Sequence, residues 1–251
     1  MEKETLFISF ATQKGGMGKT ALTVLTASYL HYVKGYNVAI IDCDYPQHSI
    51  IEMRERDVEQ VTNNLNYKQL AYLQFKNLQK KAYLVEESNA ADAITLAKRL
   101  QTENDLDFIF FDLPGTLNTK GVISTLAALD YVFIPVSADR VVLESSLQFA
   151  TVIRDNLITT GKSNIKDLRI IWNMVDGRER TELYNAYDGA IAELGLHTIQ
   201  TVIPDTKRFR REMTENSRAV FRSTLFPVDK TLVKGSNIEE LVNEFIIITK
   251  K

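Results

Sequence analysis

The chemistry of this sequence starts at Gln13-Lys14-Gly15-Gly16-Met17-Gly18-Lys19-Thr20. Gly15, Gly16 and Gly18 let backbone N–H groups close around phosphate oxygens with no Cβ in the way. Lys19 would neutralise the β- and γ-phosphates, and the Thr20 hydroxyl would ligate Mg²⁺. From Ala21 the chain reads as helix, whose first turn offers free N–H groups and a positive dipole end to the same anion. Nucleotide contacts are therefore expected from Gly15 through Ala21, with Met17 among them. Gln13 stands where such loops begin with glycine, and a second lysine, Lys14, opens the turn. A flexible Gly/Lys turn is the plainer reading. The flanks argue against it, because an apolar run, Leu6–Ala11, leads in and a helix-like run follows to Val33.

Carboxylates recur where apolar runs stop. Asp42-Cys43-Asp44-Tyr45-Pro46-Gln47 ends one of them, and residues two apart in extended chain share a side. One aspartate can serve the metal's shell while the other orients or deprotonates an attacking water. The competing reading is a turn with helix-capping aspartates, with Cys43 a small buried residue. Phe108-Ile109-Phe110-Phe111 ends in Asp112-Leu113-Pro114-Gly115, the form in which a nucleotidase sheet delivers a metal-shell carboxylate. Asn173 ends Ile170-Ile171-Trp172 and could meet an adenine edge. Pro204 follows Thr201-Val202-Ile203 and could line the base pocket. For both, a strand-terminating turn is the alternative.

These residues need a scaffold of strand ends. Strands are expected near Leu6–Ala11, Asn37–Ile41, Ala82–Val85, Asp107–Phe111, Tyr131–Pro135, Leu168–Asn173 and Leu196–Ile203. Helices are expected near Lys19–Val33, Asn89–Thr102, Ser145–Thr159 and Glu179–Leu194. Apolar runs without alternation suit strands buried on both faces. The alternation predicts an α/β fold, a doubly wound, mostly parallel sheet flanked by helices on both faces. Glu55–Gln79 reads as a polar helical excursion. With 251 residues, 11 glycines, 5 prolines and no low-complexity linker, the chain is expected to form a single domain over residues 1–251.

Bulk composition narrows the partners. Net charge is −2, so a nucleic-acid contact would need a local patch. One cysteine excludes an internal disulfide framework and a multi-cysteine metal site, and suits a reducing cytoplasm. The charged start is unlike a signal peptide, and no apolar run nears the ~18–20 residues of a membrane span.

Together the motifs resemble the ParA/MinD group of deviant-Walker ATPases. Lys14–Thr20 matches the group's loop with its extra lysine, Asp42–Gln47 matches the ParA/Soj form, and Asp112–Gly115 resembles its Walker B and switch II segment. The resemblance implies a P-loop NTPase that binds ATP and Mg²⁺ and closes as a sandwich homodimer. In it Lys14 would reach the partner's nucleotide and Asp44 would position the hydrolytic water. Asp42 and Asp112 would support Mg²⁺ with Thr20, and Asn173 would meet adenine. It also implies slow turnover stimulated by an unidentified protein partner. Narrower stretches, Lys34–Val38, Asp42–Ser49, Asn173–Glu179 and Phe221–Pro227, are similar to the TraA proteins of Bacteroides-type conjugative transposons. That likeness implies a role in conjugative transfer or partition of a mobile element. The iron–sulfur and arsenite branches of the superfamily need paired cysteines, and Cys43 stands alone.

Lys207, Arg208, Arg210 and Arg211 crowd one stretch, with Arg218 and Arg222 following. In the ParA group basic residues here bind DNA non-specifically across the dimer; the alternative is a solvated charged helix. Three phosphate contacts per chain would weaken binding on the order of a thousandfold between ~50 and ~200 mM salt. The tail Ile238–Ile248 has apolar residues at helical spacing. It is expected to dock on the core, with a MinD-like membrane-positioning helix as the alternative.

Overall fold

The computed structural model describes residues 4–178, 181–214 and 219–251. Seven strands form its sheet: β1 (Leu6–Phe10), β2 (Val38–Asp42), β3 (Leu84–Glu87), β4 (Phe108–Asp112), β5 (Tyr131–Val136), β6 (Asp167–Trp172) and β7 (His197–Thr198). Their order is β3-β2-β4-β1-β5-β6-β7, and every neighbouring pair is parallel. On one side of β1 the chain later adds β5, β6 and β7 in turn, while on the other it passes first to β2 and β3 and returns to insert β4 beside β1. That reversal opens a crevice at the carboxyl ends of the central strands, where such sheets take ligands. In the β2–β4 register Asp42 lies opposite Asp112, so two motif carboxylates finish side by side.

Successive strand residues face opposite layers. Phe7, Ile109 and Phe111 join one core with helices α4 (Ala93–Glu103), α5 (Val122–Ala128), α6 (Arg140–Ile153) and α7 (Thr181–Glu193). Ile8, Phe10, Phe108 and Phe110 join the other with α1 (Lys19–Tyr32), α2 (Ser49–Asn63) and α9 (Ile238–Thr249). Burial on both faces is why these strands read as unbroken apolar runs.

The departures from expectation are local. β7 has two residues instead of the eight-residue run at Leu196–Ile203, and the chain beyond it carries only an isolated bridge, Val175 to Pro204. Helix α6 starts at Arg140, five residues ahead of the expected Ser145, because Asp139 caps it through Val142 N–H at 2.9 Å. The polar excursion is two helices, α2 and α3 (Leu65–Leu78), broken at Asn64. A short α8 (Lys230–Val233) precedes α9. Phe245 of α9 packs its ring against Phe108, Phe110 and Phe133 at centroid distances of 5.5, 5.8 and 5.3 Å. The apolar face of α9 is spent on the core, as the docked-helix expectation requires. Among the described residues no helix is long and apolar enough to cross a membrane.

Candidate functional site

Residues 11–18 leave β1 and turn into α1 through Gly18, whose φ of 79° lies in the left-handed region that glycine tolerates. A Cβ there would fall 2.7 Å from Asn173 Nδ2. The approach is tight because Asn173 Nδ2 donates to the Met17 carbonyl at 2.8 Å. Asn173 thus ties the end of β6 to the phosphate loop. The segment after β4 closes in from the other side, since a Cβ on Gly115 would lie 3.3 Å from Lys19 Nζ and 3.4 Å from the Gln13 carbonyl.

Over this loop opens a cavity of about 340 Å³. Gly15 to Leu22 line its floor, Asp44, Gln47 and Ser49 one flank, and Asn173, Met174 and Pro204 to Thr206 another. Phe209, Arg210 and Arg222 complete the wall. All the expected contacts from Gly15 to Ala21, with Asn173 and Pro204, face this one space. Lys14 does not line it, and among the described residues it has no ion pair. Met174, Thr206 and Phe209 carry no motif by which the sequence would mark them as lining residues.

The strand-end carboxylates take different parts. Asp112 is fully buried, and its Oδ2 accepts the Thr20 hydroxyl at 2.7 Å. Its Oδ1 is buried without a partner. Burial, only partly countered by the Thr20 hydrogen bond, pushes its carboxyl up to about 7. An orphaned carboxylate oxygen beside a loop threonine fits a Mg²⁺ ion, which takes few protein ligands and completes its shell with phosphates and water. Among the described residues no group of three or more His, Cys, Asp or Glu is placed to hold a metal ion.

Asp42 departs from the expected metal role. Its Oδ2 accepts the Ile50 and Ile51 amides at 2.8 and 3.2 Å, and its Oδ1 accepts the Asp44 amide at 3.3 Å. It is the anion at the N-terminus of α2, where free N–H groups attract it, and it matches the capping alternative. Asp44 stands at the cavity wall instead. Burial raises its carboxyl and the Lys19 charge pulls it down. β2 ends at Asp42, and the turn at Tyr45–Gln47 follows Asp44, whose carbonyl accepts the Gln47 and His48 amides at 2.8 and 3.0 Å. Cys43 is buried, and burial raises its thiol, so it is inert packing. Trp172 faces the core and donates to Asp188 at 2.9 Å.

Lys207 to Arg211 form and cap one short turn, and the Arg222 amide donates to the Arg211 carbonyl at 3.0 Å. Arg208 donates to the Leu232 and Lys234 carbonyls at 2.9 and 2.6 Å, stitching the segment to α8. Arg222 pairs with Glu212, which also holds Arg56 of α2. Arg218 lies outside the described residues. Of the five described cations, Arg208 and Arg222 have structural partners, Arg210 lines the cavity with Arg222, and Lys207, Arg210 and Arg211 are exposed.

The chain belongs to the CobQ/CobB/MinD/ParA nucleotide binding domain family, whose profile matches residues 8–219. Among solved structures, it is similar to a putative plasmid partition protein of Borrelia burgdorferi B31 bound to AMPPNP (TM-score 0.62, 20% identity, covering 98% of this chain and 100% of that one). It is also similar to pnob8 ParA (TM-score 0.63, 15% identity, 98% and 99%) and to the Aquifex aeolicus cell division protein MinD (TM-score 0.62, 14% identity, 98% and 98%). At these identities the likeness is one of fold, and that fold is the P-loop NTPase fold of ParA and MinD.

Proposed function

We propose that the chain is a single-domain Mg-ATPase switch of the ParA type that closes as a homodimer around ATP. The observation that carries this reading is the gathering of Lys19, Asp44 and Thr20, itself hydrogen-bonded to the buried Asp112, around one cavity that Lys14 does not line. Lys14 is then free to reach the nucleotide of a second copy. Lys19 and the backbone amides from Gly15 to Thr20 neutralise and hold the phosphates. Thr20 and Asp112 hold Mg²⁺, which when bound offsets charge on the β- and γ-phosphates. Asp44 orients a water toward the γ-phosphorus and takes its proton as the bond to the ADP oxygen breaks. Phosphate and ADP leave, and the dimer opens. In this reading an activating protein accelerates turnover, the closed dimer grips DNA through Lys207 and Arg211, and the switch serves conjugative transfer or partition of a mobile element. The docked α9 speaks against a membrane-positioning role carried by that helix.

The test is the oligomeric state with ATP and Mg²⁺, followed by analytical ultracentrifugation. Asp44→Ala is expected to bind ATP, stall hydrolysis and accumulate as dimer, while Lys19→Ala binds no nucleotide. An Asp44→Ala protein that binds ATP and stays monomeric at every concentration rejects the sandwich mechanism.

A further inference from the structure

Helix α3 carries apolar side chains on both of its sides. Its inner side is engaged within the fold: the Tyr67 ring stacks on Phe226 at 6.3 Å between centroids, and Gln74 donates to the Leu225 carbonyl at 2.8 Å. On the outer side Leu65 is 83% exposed, Tyr72 63%, Phe75 47% and Leu73 44%. A surface helix ordinarily turns a polar face to water, so a run of large apolar side chains there marks a contact surface. Helix α2 shares the orientation of α3, because Val61 of α2 and Ala71 of α3 cover the same small core of Tyr67, Met213, Val220 and Phe226. The free faces of the two helices therefore look outward together.

These faces carry opposite charge. Between Leu65 and Leu78 the charged residues are Lys68 and Lys76, both exposed, with no acidic residue in the helix. Along α2, Glu52, Glu55 and Glu59 form an exposed stripe at helical spacing. Arg56 beside them is engaged by Glu52 and Glu212 at 3.6 and 3.2 Å. Among the described residues Lys68, Lys76, Glu55 and Glu59 have no ion pair. We propose that the α2–α3 hairpin is a self-association surface, which pairs with the same hairpin of a second copy of this chain. A two-fold axis sets the apolar face of α3 against its mate and brings the lysines of each α3 to the glutamates of the other α2. An anionic lipid surface or a nucleic-acid backbone fits less well, since either would meet Glu55 and Glu59 beside the lysines. No residue of α3 lines the nucleotide cavity, so this contact is separate from the ATP-driven closure proposed above and needs no nucleotide.

The experiment is sedimentation velocity of the full chain without nucleotide, over a concentration series at about 0.1 M salt, where exposed charges still act over ~10 Å. The wild type is expected to pair. Leu65→Asp combined with Tyr72→Asp should weaken pairing about tenfold or more, the scale of losing central apolar contacts. Lys68→Glu with Lys76→Glu forms one charge variant, and Glu55→Lys with Glu59→Lys the other. Each alone should pair weakly, because like charges then face one another, whereas an equimolar mixture of the two should pair as the wild type does. That recovery also shows both charge variants to be folded. A wild type that is monomeric at every concentration, pairing that survives the Leu65 and Tyr72 substitutions, or a mixture that stays monomeric each overturns the proposal. A monomeric wild type that sediments with phosphatidylglycerol vesicles overturns it too and gives the face to lipid. All of these results leave the ATP-driven closure standing, since that is read separately with ATP and Mg²⁺.

Discussion

Gly18→Ala tests how the phosphate loop is held. The substitution has two separable costs. An L-residue at φ 79° pays about 1–2 kcal/mol for the left-handed conformation. The new Cβ would also stand 2.7 Å from Asn173 Nδ2, inside any tolerable contact, so the amide must move. Asn173 is buried, and moving it breaks its 2.8 Å hydrogen bond to the Met17 carbonyl. An orphaned pair of that kind costs about 1–3 kcal/mol. The sum is about 2–5 kcal/mol. Gly16→Ala is the built-in reference: its φ is 77°, but nothing lies within 4 Å of the added Cβ, so only the conformational part applies. Asn173→Ala removes the clash, so in that background Gly18→Ala should cost no more than Gly16→Ala does alone. The assay is urea denaturation of the four members of the Gly18/Asn173 cycle without nucleotide. The expected coupling is about 1–3 kcal/mol. Strict additivity of the two substitutions refutes the claim that Asn173 braces the loop.

Two further outcomes follow from the structure. Asp57 is buried on α2, and its Oδ2 accepts from the Thr224 amide, the Thr224 hydroxyl and the Ser223 hydroxyl at 2.7, 2.8 and 3.0 Å. Burial outweighs these bonds and raises its carboxyl above the ordinary value of 3.8. A raised folded-state value means that the fold keeps the proton which the unfolded chain gives up, so stability falls as pH rises from about 4 through the folded value. The stability advantage of the wild type over Asp57→Asn should shrink across that window in urea titrations, and a gap that grows with pH contradicts the burial argument. For DNA, Lys207 and Arg211 provide two contacts per chain and four per dimer. ATP-dependent binding measured by gel shift should then weaken ~150-fold between ~50 and ~200 mM salt, against the thousandfold expected from six contacts. A steeper loss would mean that the cations turned toward the cavity also reach phosphate.

The site's chemistry was legible in the sequence because local rules set it. Three glycines between a strand and a helix leave few alternatives for the loop, and Asp112 closes an apolar run whose burial on both faces demands a central strand. The helix α5 and the early start of α6 were not legible, since a short buried turn and a single capping aspartate leave weak periodic signals.

By itself, the order of residues determined the parallel α/β sheet, the phosphate loop and the strand ends that carry carboxylates. Tertiary structure alone decided what each of those groups does. Asp42 and Asp112 have the same local setting, an aspartate after an apolar strand. Only the first has the amide-bearing start of α2 within reach, so its oxygens are satisfied by backbone, and only the second keeps an oxygen bare beside Thr20, 92 positions away. The arginines diverge in the same way, according to whether a carbonyl, Glu212 or the cavity lies opposite. Charge and shape are properties of the residue, while desolvation and partners are set by chain segments far off in sequence.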